Sequence, residues 1–300
     1  MPTRTIAPVG PPLDLARTLF PMVRGNGDPT TSVRPGEAWR AARSPEGPVT
    51  LRLSSALGGR IDAEAWGPGA TWALEIAPDL IGAEDAAEGF RPRHPVLAEA
   101  WRRARGVRIT RNRDVVRTLI AVILEQKVTG IEARRAWRGL VRAHPEPAPG
   151  PADLLLPPDP ARLAETPYFA FHPFGVERRR AEVVRSACAR AARIEACSDL
   201  PVGEARVRLE AIPGVGPWTA AQVVRVALGD ADAVAVGDFH MPHVVCWALA
   251  GEARGTDERM LDLLEPYRGH RGRVQLLLMA AGVKAPAFGP KREPARIERL

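Results

Sequence analysis

The feature that most constrains the fold of this chain is a Gly-rich hairpin between two helical patterns. Before the hairpin, apolar residues recur at spacings of three and four, the period of a helix with one buried face. These residues are Val202, Ala205, Leu209 and Ile212. Pro213 ends that helix, and after Gly214 and Gly216 a second helix begins at Thr219 and ends at Gly229. The pattern predicts a helix–hairpin–helix unit.

The two glycines make this hairpin a candidate phosphate site. Gly214 and Gly216 can adopt a positive φ and let another backbone approach closely. The N–H groups of both glycines and of the first helical turn at Thr219 then point outward, and such a nest binds anions, phosphate above all. A contact of this kind reads no base sequence. The alternative is an ordinary pair of helices in which the glycines only form the turn.

A single carboxylate follows the hairpin in a position that suits either structure or chemistry. Asp238 comes after a short apolar stretch and before a helix predicted from Phe239 to Ala250. A Gly-Asp pair in front of a helix is often an N-cap, whose carboxylate accepts helix N–H groups. A carboxylate beside a bound sugar can also stabilise positive charge that develops there. The two roles are compatible, because a helix N-terminus favours a negative charge.

Together these segments resemble a known superfamily. The string Ile-Pro-Gly-Val-Gly-x-Trp-Thr-Ala from Ile212, followed by Gly-Asp-Phe-His-Met-x-His from Gly237, resembles the helix–hairpin–helix DNA glycosylases, and in particular their alkylbase (3-methyladenine) branch of the inducible bacterial type. The resemblance covers about residues 11–280 and is strongest between Val202 and Leu249. It implies a mainly α fold, in which a small N-terminal α+β domain with an antiparallel sheet precedes a helical core.

The resemblance implies a monofunctional glycosylase that rotates a damaged base out of duplex DNA and releases it by hydrolysis, with Asp238 as the catalytic carboxylate. Bifunctional relatives have a Lys two residues after the second hairpin Gly, which attacks C1′ and forms a Schiff base. Here that position is Trp218. The three lysines of the sequence are Lys127, Lys284 and Lys291.

Four residues are predicted to line the base pocket. Trp218 matches an aromatic residue of the alkylbase branch, whose electron-rich face suits a cationic alkylpurine, and it is equally suited to the core. Gln222 stands where that branch has an aromatic residue, so it leaves the substrate range open. Gln126 matches the segment near the probed base pair, or is simply the polar end of a helix predicted over residues 114–126. Tyr168 either lines the pocket or packs. The residue that fills the gap left by the flipped base is not assigned.

Alternation with period two predicts strands near the N-terminus. Three segments show it, with Gly-rich turns between them, and they place Trp66 and Trp72 on a sheet. The segments are Thr50–Ser54, Gly59–Trp66 and Ala70–Ala77. The resulting domain prediction is an α+β sheet domain over residues 1–95, a helical glycosylase domain over 96–284 and a mobile tail over 285–300.

Composition fits a nucleic-acid partner. The net charge of +7 suits a polyanion, although high-GC coding bias would produce the same Arg richness. Because no apolar run reaches about 18 residues, no membrane contact is predicted. The predicted partner is therefore double-stranded DNA that contains damaged bases, bound by a monomer.

The cysteines indicate the compartment and bear on cofactors. Cys188, Cys197 and Cys246 have no metal-ligand spacing, and unpaired thiols indicate a reducing compartment, so the protein is predicted to be cytoplasmic. Some relatives hold an iron–sulfur cluster in a C-terminal loop of four cysteines, and Val283 to Leu300 contains none. No cofactor and no metal ligand is predicted, with a monovalent cation at the hairpin carbonyls left open.

Other functions share part of this pattern. A glycosylase for another lesion, such as hypoxanthine or an oxidised purine, would have every motif, and only a substrate panel separates it. A non-catalytic protein that binds damaged DNA would not need Asp238, and the intact motif argues against it. A fused methyl-acceptor regulator is disfavoured, because the sequence has no Cys-rich acceptor region.

Overall fold

The computed structural model describes residues 2–7 and 10–287. Most of the predicted mobile tail, residues 285–300, lies outside the described residues.

The N-terminal part is built on an antiparallel sheet. Within the described residues, five strands pair in the order β1–β5–β4–β3–β2. The strands are β1 (Thr3–Ile6), β2 (Thr31–Arg34), β3 (Glu37–Ser44), β4 (Gly47–Ser55) and β5 (Ile61–Trp66). Along β5, Ile61, Ala63 and Ala65 are buried and alternate with more exposed residues. The strand prediction at residues 50–54 is confirmed, and the strand predicted at 59–66 is confirmed from Ile61 onward, because Gly59 ends a 3₁₀ helix.

The strand predicted at Ala70–Ala77 is wrong, because this segment lies within a helix, Ala70–Leu80. Ala70, Ala73, Leu74 and Ala77 are buried, and their spacing of three, four and seven also fits one helical face. Ala and Leu favour helix over strand, so the alternation in this segment was incidental. Trp72 consequently lies on this helix, whereas Trp66 is on β5 and stacks on Trp39 at a centroid distance of 5.3 Å.

Apart from the sheet, the described chain is mainly helical. The α-helices are α1 (Leu15–Leu19), α2 (Ala70–Leu80), α3 (Pro95–Arg103), α4 (Val115–Glu125), α5 (Gly130–Ala143), α6 (Pro160–Glu165), α7 (Arg178–Cys188), α8 (Ala191–Glu195), α9 (Val202–Glu210), α10 (Pro217–Ala227), α11 (Met241–Ala250), α12 (Asp257–Leu264) and α13 (Arg271–Ala280). The predicted fold class, mainly α with an N-terminal antiparallel sheet, is confirmed.

Helix α4 is the centre of the helical core. Every residue from Val115 to Leu124 is buried, and the helix packs against α5, α7, α8 and α10. At its N-terminus, the Glu195 carboxylate accepts the N–H groups of Val115 and Val116, both at 3.0 Å. Burial raises the pKa of Glu195 to about 7. The opposite end of α4 is directed at the hairpin.

The helical core is joined to the sheet through α4 and α10. Arg117 of α4 donates hydrogen bonds to the hydroxyls of Thr30 and Thr31 and to the Ala41 carbonyl, at 2.7–3.1 Å. Burial lowers the pKa of Arg117 to about 10. Val226 of α10 packs among the apolar residues under the sheet. These contacts fix the hairpin helix relative to the N-terminal region, and the domain boundary at residues 95 and 96 stays a prediction.

Candidate active site

The hairpin between α9 and α10 has the predicted shape with one difference. Gly214 has φ +90°, so a glycine is required there. Gly216 has φ −99° and ψ −177°, and the positive φ predicted for it is wrong. The physical reason is that Gly216 is the N-cap of α10, a position that takes extended backbone. Val215 between them is 4% exposed and forms the apolar plug of the turn.

The surroundings of the two glycines also differ. A Cβ on Gly214 would lie 2.3 Å from Cγ2 of Val183, whereas a Cβ on Gly216 would meet no atom within 4 Å. Both glycines are exposed, so the hairpin backbone is open to a partner. The first turn of α10 leaves the N–H groups of Trp218 and Thr219 without an intrahelical acceptor. An anion could approach this backbone closely.

Gln126 lies directly against the hairpin. Its Nε2 donates to the Gly214 carbonyl at 3.0 Å and to Thr219 Oγ1 at 2.9 Å. Thr219 is 2% exposed and its hydroxyl is engaged by Gln126, so its predicted phosphate contact stays a prediction. Gln126 is the C-cap of α4, and its two bonds connect the core helix to the hairpin. The structure thus gives Gln126 a hairpin-bracing position, and its predicted contact with a base pair stays a prediction.

Asp238 lies at the start of α11 and is held from two sides. Its Oδ1 accepts the N–H groups of His240, the N-cap residue of α11, at 2.8 Å and of Met241 at 2.9 Å. Its Oδ2 accepts the indole Nε1–H of Trp218 at 2.9 Å. Gly237, with φ +86°, turns the chain immediately before it. One carboxylate therefore joins the helix after the hairpin to the N-terminus of a second helix.

Trp218 is half-buried and packs against the helical core while its indole N–H reaches Asp238. Trp218 is therefore both a core-packing residue and a contact of the candidate catalytic carboxylate. Gln222 lies one turn further along α10 and is half-buried. Its Oε1 accepts a hydrogen bond from the guanidinium of Arg225.

Three charged residues at this site were missed in the sequence. Burial lowers the pKa of the Arg225 guanidinium, and the charges of Glu125 and Asp238 oppose that shift. Glu125, the last residue of α4, pairs with Arg24 at 2.8 Å. Arg225 could have been found, because it lies three residues after Gln222 and seven after Trp218 on a predicted helix. The Arg24–Glu125 pair spans about a hundred residues and leaves no local signal.

Tyr168 begins a 3₁₀ helix, Tyr168–Phe174, that packs against the helical core. Its ring lies under the guanidinium of Arg178 at 4.7 Å and contacts the rings of Phe169 and His172. These contacts describe a packed residue at the edge of the core. Its place in a base pocket stays a prediction.

The described residues contain neither a metal-ligand cluster nor a helix that could span a membrane. Among them, no group of three or more His, Cys, Asp or Glu side chains is arranged to hold a metal ion. No helix in residues 2–7 and 10–287 has the length and apolar character needed to span a membrane. The three cysteines are buried as free thiols, and burial raises the pKa of Cys188 to about 12.

Comparison with solved structures identifies the fold. A 3-methyladenine DNA glycosylase from Archaeoglobus fulgidus is similar over 94% of this chain and 99% of its own, with TM-score 0.78 and 17% identity. An 8-oxoguanine glycosylase/lyase from Clostridium acetobutylicum, in complex with DNA, is similar over 90% of this chain and 91% of its own, with TM-score 0.70 and 14% identity. The Schizosaccharomyces pombe 3-methyladenine DNA glycosylase Mag1, in complex with abasic DNA, is similar over 67% of this chain and 96% of its own, with TM-score 0.53 and 15% identity.

Sequence comparison finds no matching family model and no matching curated protein. The chain has the fold of the helix–hairpin–helix DNA glycosylases, which confirms the fold that the resemblance implied. Because the similar structures include both 3-methyladenine and 8-oxoguanine glycosylases, the fold does not distinguish their substrates.

Proposed function

We propose that this chain is a monofunctional DNA glycosylase that removes alkylated purines, of the 3-methyladenine and 7-methylguanine type, from double-stranded DNA. The observation that carries the proposal is the hydrogen bond between Trp218 and Asp238. It places a carboxylate against the helix whose N-terminus, at Gly216, is open to a phosphate. A phosphate clamp beside a carboxylate is what excision of a base from a duplex requires.

The chemistry proposed for Asp238 is electrostatic. When the N-glycosidic bond breaks, its electron pair leaves with the base and positive charge develops on the sugar. The Asp238 carboxylate stabilises that charge, orients the water whose oxygen bonds to C1′, and accepts the proton that this water loses. Its three hydrogen bonds, to Trp218, His240 and Met241, hold it in place before the substrate arrives. The base must first leave the stack, because its C1′ bond is inaccessible within the duplex.

The alkylated-base assignment relies on Trp218. Its indole ring lies beside the carboxylate, and the face of an indole attracts a cation such as an N-alkylpurine. An alkylpurine also leaves readily, so the site needs no strong general acid. In support, two of the similar structures are 3-methyladenine glycosylases. The proposed reaction uses no iron–sulfur cluster, because this sequence has three cysteines and such a cluster is held by four.

The test is base release from duplexes that contain 3-methyladenine, 7-methylguanine, hypoxanthine or 8-oxoguanine, with the free base measured by mass spectrometry. We expect release of the two alkylpurines above the spontaneous rate. Release of hypoxanthine or 8-oxoguanine alone would reassign the lesion. Binding without release from any duplex would make the chain a non-catalytic damage-binding protein.

Borohydride is expected to trap no covalent complex between this protein and a substrate duplex. Trp218 occupies the position at which a lysine would form the Schiff base, and a tryptophan cannot do so. The measurement is a denaturing gel after incubation with borohydride, with a bifunctional glycosylase/lyase and its own substrate as the positive control. A trapped band would contradict the monofunctional mechanism. Lys127→Arg would then show whether the lysine next to Gln126 is responsible.

Gly216→Ala is expected to leave folding intact and to weaken DNA binding by about 1–3 kcal/mol, the scale of a few charge-assisted hydrogen bonds. Its φ of −99° suits alanine, and the new methyl meets no protein atom, so it occupies the space that a phosphate would enter. Lesion and undamaged duplexes should lose affinity equally, because phosphate contacts read no sequence.

Fluorescence anisotropy with both duplexes measures this effect. Gly203→Ala is the matched control, since Gly203 of α9 is exposed and its Cβ would also meet no atom within 4 Å. A loss confined to the lesion duplex would place the hairpin in the base pocket and not at the phosphate.

A further inference from the structure

One face of α10 carries three polar groups in a row. Trp218, Gln222 and Arg225 are separated by four and three residues, so their side chains lie on the same side of the helix. Trp218 reaches the Asp238 carboxylate, and Arg225 is close enough to feel the charge of that carboxylate. Gln222 is between them and half-buried. Its amide is therefore a partly exposed polar group on the same face of α10 as the indole that contacts the carboxylate.

Arg225 determines which end of the Gln222 amide is available. A guanidinium has donors and no acceptor, so its partner must be the amide oxygen, Oε1. This contact fixes which of the two ends of the Gln222 amide is the oxygen and which is the nitrogen. The opposite end, the Nε2 amino group, is then directed away from Arg225. Arg225 also lies in the field of the Glu125 carboxylate, which pairs with Arg24. Gln222 therefore presents a hydrogen-bond donor.

A donor at this place distinguishes two classes of purine. A 6-oxopurine has an acceptor oxygen at position 6, and a 6-aminopurine has a donor there. Two donors that face each other in a closed pocket leave both unsatisfied, which costs more than a missing contact. Sites built to hydrogen-bond one group discriminate strongly against an analogue that cannot pair with it.

We infer that Gln222, positioned by Arg225, makes this site selective for damaged 6-oxopurines over damaged 6-aminopurines. The inference rests on the proposed glycosylase function and narrows its substrate class. Within the alkylpurines it favours bases of the guanine type over bases of the adenine type. Gln222 is the specificity-determining residue, and Arg225 is a positioning residue that acts through it.

The test uses two bases that differ at position 6 and in the 2-amino group, which only guanine carries, and the Gln222 variants assign the effect to position 6. Both 7-methylguanine and 7-methyladenine are cationic and carry the same methyl group, so the leaving-group charge is matched. Single-turnover release of each base is measured and divided by its spontaneous release rate. For the unaltered protein we expect the corrected rate on 7-methylguanine to be about 10-fold higher, the effect of one hydrogen bond satisfied or opposed.

Variants at Gln222 assign the effect to its amide. Gln222→Leu should lower the corrected rate on 7-methylguanine, which loses a hydrogen bond, and raise that on 7-methyladenine, which no longer faces an opposed donor, so the ratio should fall about 10-fold. Gln222→Glu replaces the donor with an acceptor, so it should reverse the preference. A Gln222→Leu protein that keeps the discrimination of the unaltered chain would overturn the inference.

The role of Arg225 is tested by the ratio of the two corrected rates, because a general loss of structure would not change that ratio. Arg225→Met frees the amide to rotate, so the ratio of the two corrected rates should fall towards one, and Arg225→Lys, which keeps a donor, should restore it. A structural defect would lower both rates equally and leave the ratio unchanged, and that result would overturn the role of Arg225. Thermal unfolding followed by circular dichroism verifies that each variant is folded.

The failures of the two proposals are distinguishable. Release of both bases by the unaltered protein without discrimination would overturn the inference and leave the glycosylase function standing. Release of neither base, together with no release from any duplex of the four-lesion panel, would overturn the proposed function and this inference with it.

Discussion

Asp238→Asn is expected to lower base release by about 10²-fold or more while duplex binding persists, the scale of losing one electrostatic partner of the transition state. The amide keeps one oxygen for the N–H groups of His240 and Met241, so α11 stays capped. It lacks the charge, and its amino group would face the indole N–H of Trp218, which is also a donor. The measurement is single-turnover release of 7-methylguanine, beside anisotropy with the same duplex.

A second variant separates the catalytic role of Asp238 from its structural one. Asp238→Ser retains a good N-cap residue without a charge, so it should fold and be as inactive as Asp238→Asn. If Asp238 served only as a helix cap, both variants would release the base at the rate of the unaltered protein. That outcome would remove the central residue of the proposed mechanism.

Gly214→Ala is expected to reduce the free energy of unfolding by about 2–4 kcal/mol, because it combines backbone strain with overpacking. At φ +90° an alanine is strained, and its Cβ would lie 2.3 Å from Val183. Urea unfolding of Gly214→Ala and Gly216→Ala measures the contrast between two glycines of one hairpin. Equal midpoints for Gly214→Ala and the unaltered protein would contradict the described turn.

Val183→Ala divides that cost into its two parts. Removing the Val183 methyl groups relieves the collision and leaves the strain at φ +90°. Since Val183 belongs to the core, its own substitution is destabilising, and the interaction is obtained from a double-mutant cycle. The double variant should therefore be less destabilised than the sum of the single variants.

The sequence was most informative where a local pattern and a chemical requirement coincide. The helix–hairpin–helix unit is an example, because Pro213, Gly214 and the apolar spacing on each side all indicate the same turn. The buried plug at Val215 followed from the same pattern. Asp238 was placed both as a cap and as a candidate catalytic group; its carboxylate accepts two N–H groups at the start of α11, while His240 is the N-cap residue.

Local patterns failed where two structures share one pattern or where the partner is distant. Ala70–Ala77 satisfies both the strand and the helix period, and packing under the sheet selects the helix. The edge strand β1 (Thr3–Ile6) is exposed at three of its four residues, so it has no alternation to detect. Gln126 braces the hairpin through bonds to residues about ninety positions away, which spacing alone cannot reveal.

The loop between α4 and α5 is fixed at both of its ends. Gln126 attaches its start to the hairpin, and at its end the Glu132 carboxylate accepts the N–H and hydroxyl of Thr129, both at 2.7 Å. Lys127 between them has φ +57°, an uncommon conformation that its neighbours maintain. Because this loop is already ordered, it loses little conformational entropy when the protein binds a duplex. Association should then be governed by diffusion and charge, with a rate that falls steeply as salt concentration rises.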